Sequence, residues 1–103
     1  MKTFKDLKFK PHSLSRFGEN LQHARLSFPN GFGVSVLFGD LFYSDTTSNT
    51  YELAMLHNDH VCYSDITKGN TLGYLTKKEV SEVMRKIQKL PEDYTTESLP
   101  YYE

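Results

Sequence analysis

The chain has a single cysteine, Cys62, and no tryptophan. One thiol excludes an internal disulfide and points to a reducing compartment. Long apolar runs are also missing. The start, MKTFKDLKFK, is interrupted by lysines throughout, so it reads neither as a signal peptide nor as a membrane span. The longest uncharged stretch, Leu26 to Gly39, contains Pro29, Asn30 and three glycines, which make it a hairpin and not a membrane helix. Positive charge is absent from the middle of the chain. From Leu26 to Thr67 there is no Lys or Arg, against Asp40, Asp45, Glu52, Asp59 and Asp65. Lys and Arg dominate on either side of this span, and the last residues are acidic again, so a net charge of −1 and a pI near 6.4 hide four blocks of alternating sign. The plain reading is that the acids keep the protein soluble.

What is present fits one small domain. A chain of 103 residues holds one core, and 38% apolar with 24% charged residues is ordinary for a globular fold. Seven Phe and seven Tyr are many rings for such a core, which leaves some for a contact surface. Thr76-Lys77-Lys78-Glu79 is a capping box, with Leu75 and Val80 as its hydrophobic staple. Val80, Val83, Met84 and Ile87 follow at helical spacing, extended by Leu90, and Pro91 ends the element. The spacing predicts a helix from about Lys77 to Lys89. Phe28-Pro29-Asn30-Gly31 predicts a turn between two strands that bury Leu26, Phe28, Phe32, Val34 and Val36. Tyr51 to Leu56 alternates, with Glu52 facing away from Tyr51, Leu53 and Met55, and a turn at Asn58-Asp59 leads into Val61 to Tyr63. Lys8-Phe9-Lys10 adds a candidate edge strand. The expected fold is α+β: a small antiparallel sheet of three to five strands with one C-terminal amphipathic helix packed on it. Residues 1–90 form the domain, and 91–103 are an acidic tail expected to be mobile.

Chemical motifs are weak. His57, Asp59, His60 and Cys62 can in principle ligate zinc, but no second ligand pair follows downstream, and His and Asp are common in tight turns for backbone reasons. No metal and no cofactor is expected. Cys62 with His60 or His57 as base would need an oxyanion hole that nothing supplies, and a free Cys beside Val61 is more often a core residue. No catalytic residue is assigned. Gly31-Phe32-Gly33 leads into a strand and lacks the lysine of a phosphate loop. Lys2, Lys5, Lys8 and Lys10 with Phe4 and Phe9 suit phosphate contact and stacking, but a pI near 6.4 makes direct nucleic-acid binding an unfavoured expectation. Asp40-Leu41-Phe42-Tyr43-Ser44-Asp45 sets apolar residues between two acids on a long loop, as at the centre and rim of a protein-binding patch; alternatively Leu41 and Phe42 fold under to close the core.

Lys8-Phe9-Lys10-Pro11-His12, Phe28 to Val36, Tyr51 to Ala54, and Asp65-Ile66-Thr67 with Leu72 to Thr76 and Glu79-Val80 together resemble small accessory proteins of tailed bacteriophages, of the host-takeover or counter-defence type. The resemblance covers residues 8–90. It implies expression in a bacterial cytoplasm and a non-enzymatic role: binding, and inhibiting or redirecting, a host protein such as a defence nuclease complex of CRISPR or restriction type. The expected partner-binding residues are Asp40, Leu41, Phe42, Tyr43 and Asp45, with Glu52 and Asp59 nearby. Acidic segments of this sort compete for basic surfaces that hold DNA. A sponge that sequesters a nucleotide or other small molecule, through Arg25, His23 and Tyr51 at a dimer seam, is the alternative. A homodimer through an open sheet edge is also allowed.

Overall fold

Two tight turns set the sheet. In a computed structural model that describes residues 1–11, 21–39, 49–94 and 96–98, the Gly31 N–H donates to the Phe28 carbonyl at 3.1 Å. Gly31 takes φ of +89°, a region open to glycine. The chain thereby reverses from β2 (Gln22–Ser27) into β3 (Phe32–Phe38), with Ala24 opposite Val36 and Leu26 opposite Val34. At the second turn Asn58 and Asp59 both have positive φ, 50° and 69°, which matches the twist of a two-residue hairpin. This turn joins β4 (Tyr51–His57) to β5 (His60–Tyr63). The turns are tied together, since Asn58 N–H donates to the Gly31 carbonyl at 2.9 Å.

The central pair is β3 with β4, antiparallel from Phe32–His57 to Leu37–Glu52. β1 (Lys10–Pro11) pairs with β2, β7 (Glu97–Ser98) pairs with β5, and β6 (Leu72–Leu75) shares with β5 the second edge of β4. The sheet is antiparallel throughout. Five of its strands are four residues or longer, with two-residue segments at β1 and β7. β3 cannot carry a side chain at Gly33, where a Cβ would lie 2.5 Å from the Leu26 carbonyl oxygen. β6 is irregular. Leu72 pairs with Leu53 and Leu75 with Tyr51, so one residue is inserted, and both leucines pack against the core. Tyr74 takes up the irregularity at φ of +55°, a left-handed conformation costing a residue other than glycine about 1–2 kcal/mol.

One face of the sheet is covered by α1 (Lys77–Gln88). The expected caps form: Thr76 Oγ1 accepts from the Glu79 N–H at 3.2 Å, and Glu79 Oε1 accepts from the Thr76 N–H at 3.0 Å. Val80, Val83, Met84 and Ile87 are buried against Val34, Val36, Leu53 and Met55 in one apolar cluster. The N-terminal arm lies along the helix. Phe4 N–H donates to Ser81 Oγ at 3.0 Å, and the Gln88 carboxamide both accepts from Lys2 N–H and donates to its carbonyl, at 2.8 and 2.7 Å. Asn30 holds the other end. Its Nδ2 donates to the carbonyls of Ile87 and Leu90 at 2.9 and 3.0 Å while its Oδ1 accepts from Phe32 N–H at 3.1 Å. Ile87 lies in the last helical turn, where carbonyls lack the usual i+4 partner, and its oxygen also accepts from the Leu90 N–H at 3.2 Å; Leu90 follows just beyond the helix. The part of the acidic tail described here is attached: Tyr94 meets Phe32 edge-on at 6.2 Å, and β7 pairs with β5.

Two outcomes follow from these contacts. Asn30→Ala removes one donor that serves two half-buried carbonyls, and should cost about 1–3 kcal/mol in urea unfolding with an unchanged m value. A midpoint equal to that of the unsubstituted protein would discount the link. Backbone N–H groups at Thr76 and Thr3 hold the Glu79 and Asp6 carboxyls below their ordinary pKa. The stability these groups supply is therefore complete above the ordinary carboxylate range near pH 4 and is lost as pH falls through the depressed values. Thermal melts of Glu79→Gln should show a shallower fall in acid than the unsubstituted protein.

Candidate functional site

Alternation along the strands sorts the sequence-predicted residues between two faces. Tyr51, Leu53 and Met55 join the core under α1, so Glu52 projects from the other face, half-buried and opposite Leu37. Asp59 sits exposed in the β4–β5 turn. Its carboxylate accepts from Arg25 Nη2 at 3.0 Å, and the same nitrogen donates to the Asp59 carbonyl at 2.7 Å. Arg25 thereby reaches from β2 to the far turn and sets one cation beside the acidic span. The pair is open to water, with side chains 38% and 72% exposed, so it contributes only about 0–1 kcal/mol and leaves the carboxylate accessible. Asp40, Leu41, Phe42, Tyr43 and Asp45 lie outside the described residues.

The other candidate constellations do not assemble. Among the described residues no group of three or more His, Cys, Asp or Glu is placed to hold a metal ion. His57 and His60 face each other across the hairpin, but His57 stacks on Phe32 at 4.6 Å and Asp59 is committed to Arg25. Cys62 is fully buried. Burial pushes its thiol pKa up, against a smaller lowering by a hydrogen bond with Thr96, so little thiolate exists for nucleophilic attack. Arg25 and His23 share the face away from the helix, whereas Tyr51 is buried on the opposite one. Its ring packs with Phe4, Phe9 and Phe38 at 4.9 to 5.7 Å, and burial raises its hydroxyl pKa. These three residues therefore do not line one pocket. A shallow groove of about 420 Å³ beside Phe28, Pro29 and Met1 is bordered by Asn30 and Gln88, both already committed to the hydrogen bonds that fix the helix.

Two features escaped the sequence reading. Arg25 lies just outside the cation-free span, and only the hairpin register shows that it reaches Asp59. Tyr74 is 58% exposed at the irregular β6 edge, and its one sequence signal was the glycine before it. No helix among the described residues is long and apolar enough to cross a membrane. No family model matches this chain, and no curated protein or solved structure matches it either.

Cys62 provides a direct check. In the folded protein its thiol should react with Ellman's reagent only at the rate of unfolding, and at once in denaturant. Fast reaction in buffer would return Cys62 to the list of candidate nucleophiles.

Proposed function

We propose that this chain is a non-enzymatic, phage-type accessory protein that binds a host protein in the bacterial cytoplasm and inhibits or redirects it. A defence nuclease complex of CRISPR or restriction type is the class of target that fits best. The observation that carries this reading is the charge of the sheet. Three of its strands, β3 to β5, and both turns lie within a span that has no Lys or Arg, and the face away from the helix presents Glu52 and Asp59, with Arg25 of β2 paired to Asp59 as the cation beside them. Such a surface is complementary to the basic grooves with which nucleases hold nucleic acid. The segment Asp40 to Asp45 adds Leu41, Phe42 and Tyr43, the residue types that supply most of the energy at interface centres. The buried Cys62 thiol, the His57 ring stacked on Phe32 and the Asp59 carboxylate paired with Arg25 favour contact over chemistry. The sponge reading has less support, because Arg25, His23 and Tyr51 point to two faces.

The test is affinity capture from a lysate of the natural host, read by mass spectrometry, followed by binding kinetics on the protein recovered. Phe42→Ala or Tyr43→Ala should weaken that complex at least about tenfold without shifting the melting temperature. Asp40→Lys with Asp45→Lys should slow association and flatten its salt dependence. Loss of the complex on substitution of Lys86 and Lys89, with the 40–45 variants unaffected, would put the interface on the wrong layer.

A further inference from the structure

The two lysine-rich blocks, far apart in sequence, become one surface in the fold. The N-terminal arm is fastened along α1 by the Phe4–Ser81 and Lys2–Gln88 hydrogen bonds, which sets exposed Lys2 and Lys5 on its flank. On the helix, Lys78, Arg85 and Lys89 occupy positions opposite the buried stripe of Val80, Val83 and Ile87, and all three are exposed. Glu82 is the one acid in that row. Glu79 and Asp6, the other acids of helix and arm, each accept from a backbone N–H and stay charged, but neither belongs to that row. The pI near 6.4 averages this layer with the acidic sheet and says little about either.

On the sheet edge at β6, two residues before the helix cap and four before Lys78, stands Tyr74. It is 58% exposed, and among the described residues its ring and hydroxyl have no hydrogen-bond or ring partner. Its backbone is left-handed, at φ of +55°, where glycine would sit without strain. Packing of Leu72 and Leu75 explains the inserted residue but not the choice of tyrosine. A strained residue that holds a ring out to solvent is accounted for if the ring is used there.

The geometry points to a contact surface for single-stranded nucleic acid: Tyr74 is the platform on which one base stacks, and Lys78, Arg85 and Lys89 follow the phosphates. A base–phosphate polymer satisfies both the cation row and the unpartnered ring, and an unpaired strand leaves its base faces open to stacking. An acidic protein segment meets the cations through its carboxylates, but it offers no regularly repeated flat face for the ring as a strand of bases does. This surface does not include Glu52 or Asp59, which project from the other face of the sheet, and neither reading depends on the other.

Fluorescence anisotropy with a labelled oligothymidylate of about 16 nucleotides tests it on the full chain at low salt. Binding should weaken with salt with a log–log slope of about −2, as expected for three cations on a single strand. Tyr74→Ala should weaken binding about tenfold and Tyr74→Phe hardly at all, because stacking needs the ring and not the hydroxyl. Lys78→Glu with Lys89→Glu should weaken it more and flatten the slope. Tyr74→Gly should melt no lower than the unsubstituted protein, which separates loss of contact from loss of fold. The inference is overturned if the oligothymidylate does not bind, if Tyr74→Ala binds it unchanged, or if duplex DNA competes as well as the single strand. Displacement of the oligonucleotide by a polyglutamate peptide at equal charge concentration would overturn it too, and would mark an acidic protein as the occupant.

Discussion

The carboxamide of Asn30 is the point at which sheet and helix are made to agree. One side-chain nitrogen serves the carbonyls of Ile87 and Leu90, while the oxygen of the same group orders the first residue of β3. The hairpin turn and the end of α1 are thus fixed by a single planar group, and the turn passes the constraint on through the Gly31 carbonyl to Asn58. Everything else in the helix layer follows from that anchor. With the C-terminal end held, the stripe from Val80 to Ile87 must lie across β3 and β4. Gln88 is brought to where it can clasp the backbone of Lys2, and the arm is drawn along the helix. A local turn signal therefore has a long-range result.

Much of the frame could be read from residues alone. The capping box at Thr76 and Glu79, the stripe of α1 and the two hairpins each carry a signal confined to a few neighbours, and each appears at its expected place. Helix length differs by one residue, Lys89 lying beyond the last helical turn. The strands that escaped notice have no such signal. β6 is Leu-Gly-Tyr-Leu, with no alternation to read, and it is a strand only because Leu53 and Tyr51 supply the ladder. β7 is a two-residue pairing imposed by its neighbour, whereas the edge strand expected at Lys8 to Lys10 forms as the short pair Lys10–Pro11.

The site was less legible than the frame for a related reason. Charge blocks are visible in sequence, but which blocks share a surface is decided by topology. Because β3, β4 and β5 are consecutive, the cation-free span becomes one continuous part of the sheet. Because the arm returns to α1, the two basic blocks merge on the opposite layer. Arg25 belongs by sequence to the basic block and by position to the acidic face. His57, His60 and Cys62 show the reverse: neighbours in sequence whose surroundings differ, one stacked on Phe32, one exposed and one sealed in the core.

The way the sheet ends has its own consequence. Among the described strands, the outermost ones are short or misshapen: β1 is two residues long and carries a proline, β7 is two residues long, and β6 is kinked by its inserted residue. A foreign strand seeking a ladder to extend finds little to follow on β1, β6 or β7, and the longest regular stretch beside them is Ala24 to Ser27 of β2, beyond the end of β1. Growth of the sheet from copy to copy is discouraged at those three strands. Contacts with other molecules are left to side chains, which is where both charged layers place their most accessible groups.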